Sequence, residues 1–325
     1  IIDSSEAGSG AVINTAASDY GYALIAAAGT VKVEAGTFKG TPGGALYAKN
    51  GTFSISGGTF SSNPAEYCAE GYVSKANDDG TYTVRKISYA AAIGSAQYLS
   101  LTEALAAAKD GDTITLLTDI DTPDVTYVIE KSVTIDLNGK TVTGSGYDGV
   151  FQIAGEKAEV VIKNGKIVAV EQSGSAGKYA MAIWACAADS KVTLEGLDVS
   201  QKITHTDDKQ MDMIYTSAGT IIINSGTFES GTPKWTLNCK DSAYKAGTAN
   251  IIVNGGTFVG QHPRNAENEG KGTSLVAEGV GVNSGNGSFT AVPNMIAQII
   301  AADGSSVQAY SNMYDACMAA VSGQT

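Results

Sequence analysis

The sequence predicts an all-β protein, a parallel β-helix solenoid with short helical caps. Three observations carry that expectation. Short strand-like phrases recur with a period of roughly 20–30 residues, the spacing of solenoid repeats. Their apolar residues alternate with period two, whereas a helical solenoid would return its apolar face every 3.6 residues. Glycine fills 39 of 325 positions and proline only 6, the balance of many tight corners between short strands rather than of a disordered chain.

Five phrases define the repeat: VKVEAGTF (31–38), FSISGGTF (53–60), VVIKNGKI (160–167), IIINSGTF (221–228) and IIVNGGTF (251–258). Two looser ones join them, IDLNGKTV (135–142) and VTLEGLDV (192–199). Their first, third and eighth positions are always apolar, from Val31, Val33 and Phe38 to Ile251, Val253 and Phe258. The first and third share one face of a strand. A Gly or Asn corner follows, because these residues tolerate positive φ, and the eighth position points inward from the next strand. Stacked repeats then place Phe228 on Phe258, Ile221 on Ile251 and Asn224 on Asn254. A further strand precedes most phrases: YALI (22–25), ALYA (45–48), VFQI (150–153), AIWA (182–185) and MIYT (213–216). No Leu-x-x-Leu-x-Leu frame accompanies them, which sets a leucine-rich repeat aside.

Open sheet ends invite uncontrolled pairing and need covers. SLTEALAAAKDGDTITLL (100–117) reads as an N-terminal cap. Ser100 or Thr102 caps a helix over 100–110, Leu101, Ala104, Leu105 and Ala108 share its inner face, and Gly111 stops it. AEGYVSKANDDGTYTV (69–84) reads as a closing hairpin turning at Asp-Gly, and AEGVGVNSGNGSFTAV (277–292) repeats it. The chain thus parses in order. Residues 1–90 are the later part of one β-helix block, closed by 63–90. Residues 91–296 are a complete module, with coils over 114–260 and a closing segment over 261–296. Residues 297–325 begin a further module. YSNMYDACMAAVSGQT (310–325) matches YLSLTEALAAAKDGDT (98–113) at one constant offset, pairing Met313 with Leu101, Cys317 with Leu105 and Thr325 with Thr113. The second copy lacks the ITLL strand, and Ile1 and Ile2 open the chain with no cap helix before them. Ile1, Ile2, Met313, Cys317 and Thr325 are therefore the candidate assembly residues of a head-to-tail series. A first residue that is Ile rather than Met, with no signal peptide, points to a chain cut from something longer or processed.

The run from GGTFSSNPAEYCAEGYVSKANDDGTYTV through YLSLTEALAAAKDGDTITLLTDI and VTIDLNGKTVTG resembles the repeat-bearing surface proteins of gut-type Gram-positive bacteria. The resemblance spans nearly the whole chain. It implies a pectate-lyase-like, right-handed parallel β-helix and an extracellular or cell-surface setting. It does not imply a reaction, since one fold hosts many activities.

A net charge of −12 argues against nucleic acid, whose phosphates require a basic face. No apolar run approaches the roughly 18 residues of a membrane span. Enzymes of this architecture that cleave acidic polysaccharides gather paired carboxylates. Here Glu34, Asp136, Glu195 and Asp198 occur singly in the phrases, so the expectation is a structural protein rather than an enzyme, needing no cofactor, with a glycan-binding adhesin or a polysaccharide lyase or hydrolase as the rival class. In THTDDKQMD (204–212), Asp207, Asp208 and Asp212 offer oxygen ligands for calcium beside His205, although a solvated loop is the simpler reading. His262 and Arg264, in QHPRNAENE (261–269), and Trp235 are the candidate glycan contacts, and Trp184 is assigned to the core. The four cysteines, Cys68, Cys186, Cys239 and Cys317, form no CxxC pair. With two His in the chain, a zinc site is not expected. Disulfides and free buried thiols both remain open, with the apolar surroundings of Cys186 and Cys239 favouring the latter.

Overall fold

The computed structural model describes residues 11–14, 21–41, 43–122, 124–144, 148–171, 180–203, 211–266, 269–270, 273–302 and 306–325. The architecture is all-β with parallel sheets. The chain divides into two compact units, Ile1–Ser88 and Tyr89–Thr325. Among the described residues no helix is long and apolar enough to cross a membrane.

In the second unit the repeats supply strands to three lanes, the last of them only to the first two among the described residues. Thr113–Leu116, Thr134–Asp136, Gly219–Ile223 and Ala249–Val253 belong to the first lane; Ile120–Thr122, Thr141–Gly144, Gly226–Glu229 and Gly256–Val259 belong to the second. The long strands Glu159–Val170 and Lys191–Lys202 run through both lanes and join them into one sheet. Tyr127–Ile129, Phe151–Ile153, Ile183–Ala185, Ile214–Thr216 and Leu237–Cys239 form the third lane. All pairings between successive repeats are parallel.

Parallel in-register pairing stacks like on like. Ile114, Ile135, Ile162, Leu194, Ile223 and Val253 form one buried ladder. Ile120, Val142, Ile167, Val199, Phe228 and Phe258 form a second. Tyr127, Phe151, Ile183, Ile214 and Leu237 form a third. The expected pairs are present: the Phe228 and Phe258 rings stack with centroids 5.1 Å apart, Ile221 faces Ile251, and Asn254 Nδ2 donates to Asn224 Oδ1 at 2.9 Å. Asn224 in turn donates to Glu195 Oε1 at 2.9 Å, so the corner amides and carboxylate satisfy one another along the stack. Every phrase position named above is buried except Val31, which is half-buried.

One register differs from the expectation. Ile135, the first position of its phrase, pairs with Ile162, the third position of the next, while Val142 still pairs with Ile167. The corner LNGK is longer by two residues and closes as a tight turn through Asn138 (φ 49°) and Gly139 (φ 73°). Leu137 fills that corner, and a Cβ on Gly165 of the next repeat would lie 2.4 Å from its Cβ. Leu197 takes the equivalent space one repeat on, opposite Gly165 and Gly226. Gly226 (φ 134°) has no room either, because an added Cβ would fall 2.2 Å from the Leu197 carbonyl oxygen. Large and small residues thus alternate up the corner.

The first unit carries the same three lanes: Gly29–Val33 and Gly51–Ile55; Ala11–Asn14, Thr37–Gly40 and Gly58–Phe60; Leu24–Ala26 and Leu46–Ala48. Its core holds Phe38 stacked on Phe60 at 5.1 Å. Both units stop in the same way. Cys68 bridges Ile55 and Val276 bridges Val253 in parallel. The next amide closes on the same strand, Ala69 N to Ile55 O at 2.8 Å and Ala277 N to Val253 O at 3.0 Å. A hairpin then lies antiparallel on the last second-lane strand: Tyr72–Ala76 with Tyr82–Lys86, and Gly281–Gly285 with Ser288–Val292. Even the cross-strand hydroxyl pair recurs, as Thr59–Thr83 and Thr257–Thr290.

The second-lane aromatic ladder generates a stability prediction. Phe228→Ala should destabilise the second unit by about 3–5 kcal/mol, whereas Thr227→Ala, one residue away on the outward face, should cost less than about 0.5 kcal/mol. Equilibrium chemical denaturation measures both, and similar costs would contradict the inward ladder.

Candidate functional site

Two surfaces stand out, the pair of cap elements and an aromatic pocket on the third lane. The first cap begins with the antiparallel strands Ala91–Ile93 and Ala96–Tyr98 and continues into α1, Leu101–Ala107. Ser100 Oγ accepts from the Glu103 amide at 3.1 Å, and the Glu103 carboxylate accepts from the Leu99 amide at 3.0 Å, satisfying free donors at the helix start. The helix ends at Ala107, earlier than a stop at Gly111 would place it. Ala108, with ψ 151°, already leaves the helix, and Lys131 lies over that end: its Nζ donates to the carbonyls of Ala106 at 3.0 Å and Ala108 at 2.6 Å, taking orphan acceptors of the last turn. Gly111 (φ 87°) instead turns the chain into the next strand. Leu101, Ala104 and Ala108 are buried in one cluster with Ile114, Leu116 and Ile129. Strand Thr113–Leu116 then pairs antiparallel with Ala91–Ile93, so the cap's sheet edge is used as well as its helix face.

The second cap repeats the parts. Ala297–Ile300 pairs antiparallel with Ser306–Tyr310, and Met313–Ala319 follows as a helix. Asn312 Oδ1 accepts from the Asp315 amide at 2.8 Å, Ala320 N donates to Ala316 O at 3.0 Å as Ala108 N does to Ala104 O at 2.9 Å, and Gly323 has φ 89°. Ile300 and Thr325 exchange two backbone hydrogen bonds, of 2.6 and 3.0 Å, in the manner that starts the strand pairing of the first cap. The surroundings differ. Met313 is 58% exposed where Leu101 is 1% exposed, and Ile296 is 64% exposed where Ala90 is 9% exposed. Cys317 is exposed, as are Tyr314, Met318 and Val321. In the first cap Thr102, Leu105 and Ala106 border a groove of about 380 Å³ against Tyr127–Lys131. The second cap carries Tyr314, Cys317 and Met318 at those helical positions, side chains larger at 314 and 318.

The second surface is on the outward face of the third lane. Gln152, Trp184, Tyr215 and Asn238 lie in register across four strands. Trp184 is not core: it sits between inward Ile183 and Ala185, half-buried, with its ring 6.4 Å from that of Tyr215. Its Nε1 donates to Ser217 Oγ at 2.9 Å. Tyr215, Trp235, Asn238, Cys239, Lys240, Asp241 and Ser242 line a pocket of about 430 Å³. Lys234 Nζ lies 5.2 Å from the Trp235 ring centre, and Asn238 Nδ2 donates to Asp212 Oδ1 at 2.9 Å.

Glu269 lies behind the pocket. Its Oε1 accepts from the Cys239 amide at 2.8 Å, and Oε2 is buried with no hydrogen-bond partner among the described residues. Burial pushes its carboxyl above the usual range, the Cys239 amide pulls it back, and Asp241 and Asp212 push it up further. Burial likewise raises the Cys239 thiol, with Glu269 adding to it.

The remaining candidates fall in different places. Ile1, Ile2, His205, Asp207 and Asp208 lie outside the described residues; Asp212 supports Asn238. Among the described residues no group of three His, Cys, Asp or Glu is placed to hold a metal ion. His262 and Arg264 are engaged by the closing segment: the His262 ring packs on Phe289 with centroids 4.6 Å apart, its Nδ1 accepts from the Arg264 amide, and the Arg264 guanidinium donates to the Val280 carbonyl. All four cysteines are free thiols, Cys239 buried, Cys68 and Cys186 half-buried and Cys317 exposed. Lys131, Tyr215, Asn238 and Glu269 were not singled out from sequence. Strand alternation around Ile214 and Thr216 carries a signal for Tyr215, while the other three depend on contacts with residues 23, 26 and 30 positions away in sequence.

Fold and surfaces together define an all-β protein with parallel sheets, whose second unit carries a strand-pair-and-helix cap element twice. No family model, no curated protein and no solved structure matches the chain.

Glu269 sets a pH dependence. With its folded value raised, its contribution to stability is most favourable in acid, below the unfolded value, and is lost as pH rises through the folded one. Glu269→Gln should therefore raise the unfolding midpoint at neutral pH and change it little in acid. A variant that is less stable than the parent at neutral pH would contradict the uncompensated charge.

Proposed function

We propose that the protein is a structural, extracellular module, wound as a right-handed parallel β-helix in both units, that joins head-to-tail with other copies in a surface fibre, stalk or filament. It is not an enzyme on this reading and needs no cofactor. The second cap carries the argument. One chain holds the same cap twice; in the first copy Leu101 lies 1% exposed against the repeats that follow, and in the second Met313 lies 58% exposed. The partner is read from the first copy: a strand that adds antiparallel to Ala297–Ile300, followed by apolar repeats against Met313 and Cys317. A second copy of the chain offers such repeats at its N-terminal part, with Ile1 and Ile2 as the first residues to reach the cap. Tyr314 and Met318 suit this role, because they would fill the groove that Thr102 and Ala106 leave open in the first cap. A heterologous contact of this kind does not close on itself and propagates linearly.

Electron microscopy and sedimentation velocity test the proposal. The protein should form linear assemblies that lengthen with concentration. Met313→Glu combined with Met318→Glu should leave monomers with an unchanged unfolding midpoint, since a buried unpaired charge is costly only where the face is covered. A parent protein that sediments as a monomer at every concentration would sink the proposal.

A further inference from the structure

We infer that the outward face of the third lane is a binding site for a neutral, linear oligosaccharide, anchored in the pocket between Tyr215 and Trp235 and extending over Trp184. This inference goes beyond the joining of ends and stands on separate residues. Three aromatic side chains meet the requirement for stacking on the C–H faces of sugar rings, since Tyr and Trp present broad apolar faces with a polar edge. Trp184 and Tyr215 occupy successive rungs, so the platform advances by one strand spacing, about 4.8 Å, along the stack rather than forming one isolated contact. Two of the rings are held before any ligand arrives: Ser217 Oγ accepts a hydrogen bond from Trp184 Nε1, and Lys234 lies against the Trp235 ring. Such preorganisation lowers the entropy cost of binding.

The rest of the pocket is polar. Asn238, Lys240, Asp241 and Ser242 supply both donors and acceptors, which suits a hydroxyl-covered ligand better than an apolar peptide side chain. Charge then selects among sugars. Asp241 lines the pocket, and Asp241 and Asp212 lie close enough to push the Glu269 carboxyl up. The chain as a whole carries −12. Lys234 and Lys240 stand against Asp212, Asp241 and Glu269, so the site offers no excess of positive charge to a uronic acid or sulfated sugar, and the ligand is uncharged. Below Trp184 the ladder continues through Gln152, whose amide can bond hydroxyls of the next sugar unit, to the exposed Val128.

Isothermal titration calorimetry with linear oligosaccharides of glucose, xylose, mannose and N-acetylglucosamine, and with oligogalacturonate as the acidic comparison, tests the site. At least one neutral series should bind saturably, with affinity rising with chain length. Trp235→Ala and Tyr215→Ala should each weaken it about tenfold or more, as expected for loss of an aromatic anchor. Asp241→Ala and Ser242→Ala alter exposed side chains and keep the test valid if an aromatic variant unfolds; together they should weaken binding severalfold. Silence with every neutral series, binding of oligogalacturonate alone, or full affinity in both the aromatic and the Asp241/Ser242 variants would each overturn the assignment.

Discussion

In a parallel stack every strand hydrogen-bonds only to its counterparts in the neighbouring repeats, and that constraint governs the whole molecule. Inside the stack it is favourable without special devices. Identical positions fall in register, so Phe258 lies on Phe228 and the Asn254 amide finds the Asn224 amide. At either end it fails, because the terminal repeat has unpaired backbone groups and an uncovered apolar floor. The closing hairpins and the caps answer that failure. Both hairpins reverse the strand direction on the last second-lane strand, and the first cap reverses it on the opening first-lane strand.

The two caps separate local from tertiary causes. Their helices begin with equivalent side-chain caps, Ser100 and Asn312, and end at equivalent residues. Local sequence therefore suffices for the helix and for the turn at Gly111 or Gly323. Burial of Leu101 comes from the repeats that follow it, and Met313 has none among the described residues. Lys131 adds a tertiary contact to a terminus that local sequence has already set: it reaches from a later repeat to the last carbonyls of α1, while the second helix ends at the equivalent residue.

Much of the fold was legible in the sequence because repetition writes each contact several times. The apolar first, third and eighth positions, the corner Asn pair and the doubled hairpin could be read from spacing alone. The looser phrase at 135–142 misled, since its two extra corner residues move Ile135 opposite Ile162 while leaving Val142 in place; spacing cannot distinguish a shifted phrase from a longer turn. The short strands Tyr127–Ile129 and Leu237–Cys239 were missed, although the equally short Phe151–Ile153, Ile183–Ala185 and Ile214–Thr216 were read; Leu237–Cys239 carries a polar Asn238 and runs directly out of the Pro233–Trp235 turn. Trp184 was misplaced by composition: its neighbours are apolar, but alternation in a three-residue strand turns it outward with Tyr215. The pocket was only glimpsed through Trp235, because Tyr215 reaches it from the preceding repeat.

The central proposal is that the second cap joins the repeats of a further copy of the chain. Amide hydrogen exchange over Ile296–Ile300, followed as the protein is concentrated, tests it most directly. The account predicts protection and slower exchange that grow with concentration toward the level shown by Ala90–Ile93, and loss of that gain in Met313→Glu, Met318→Glu. Exchange over Ile296–Ile300 that stays the same from dilute to concentrated protein would contradict it.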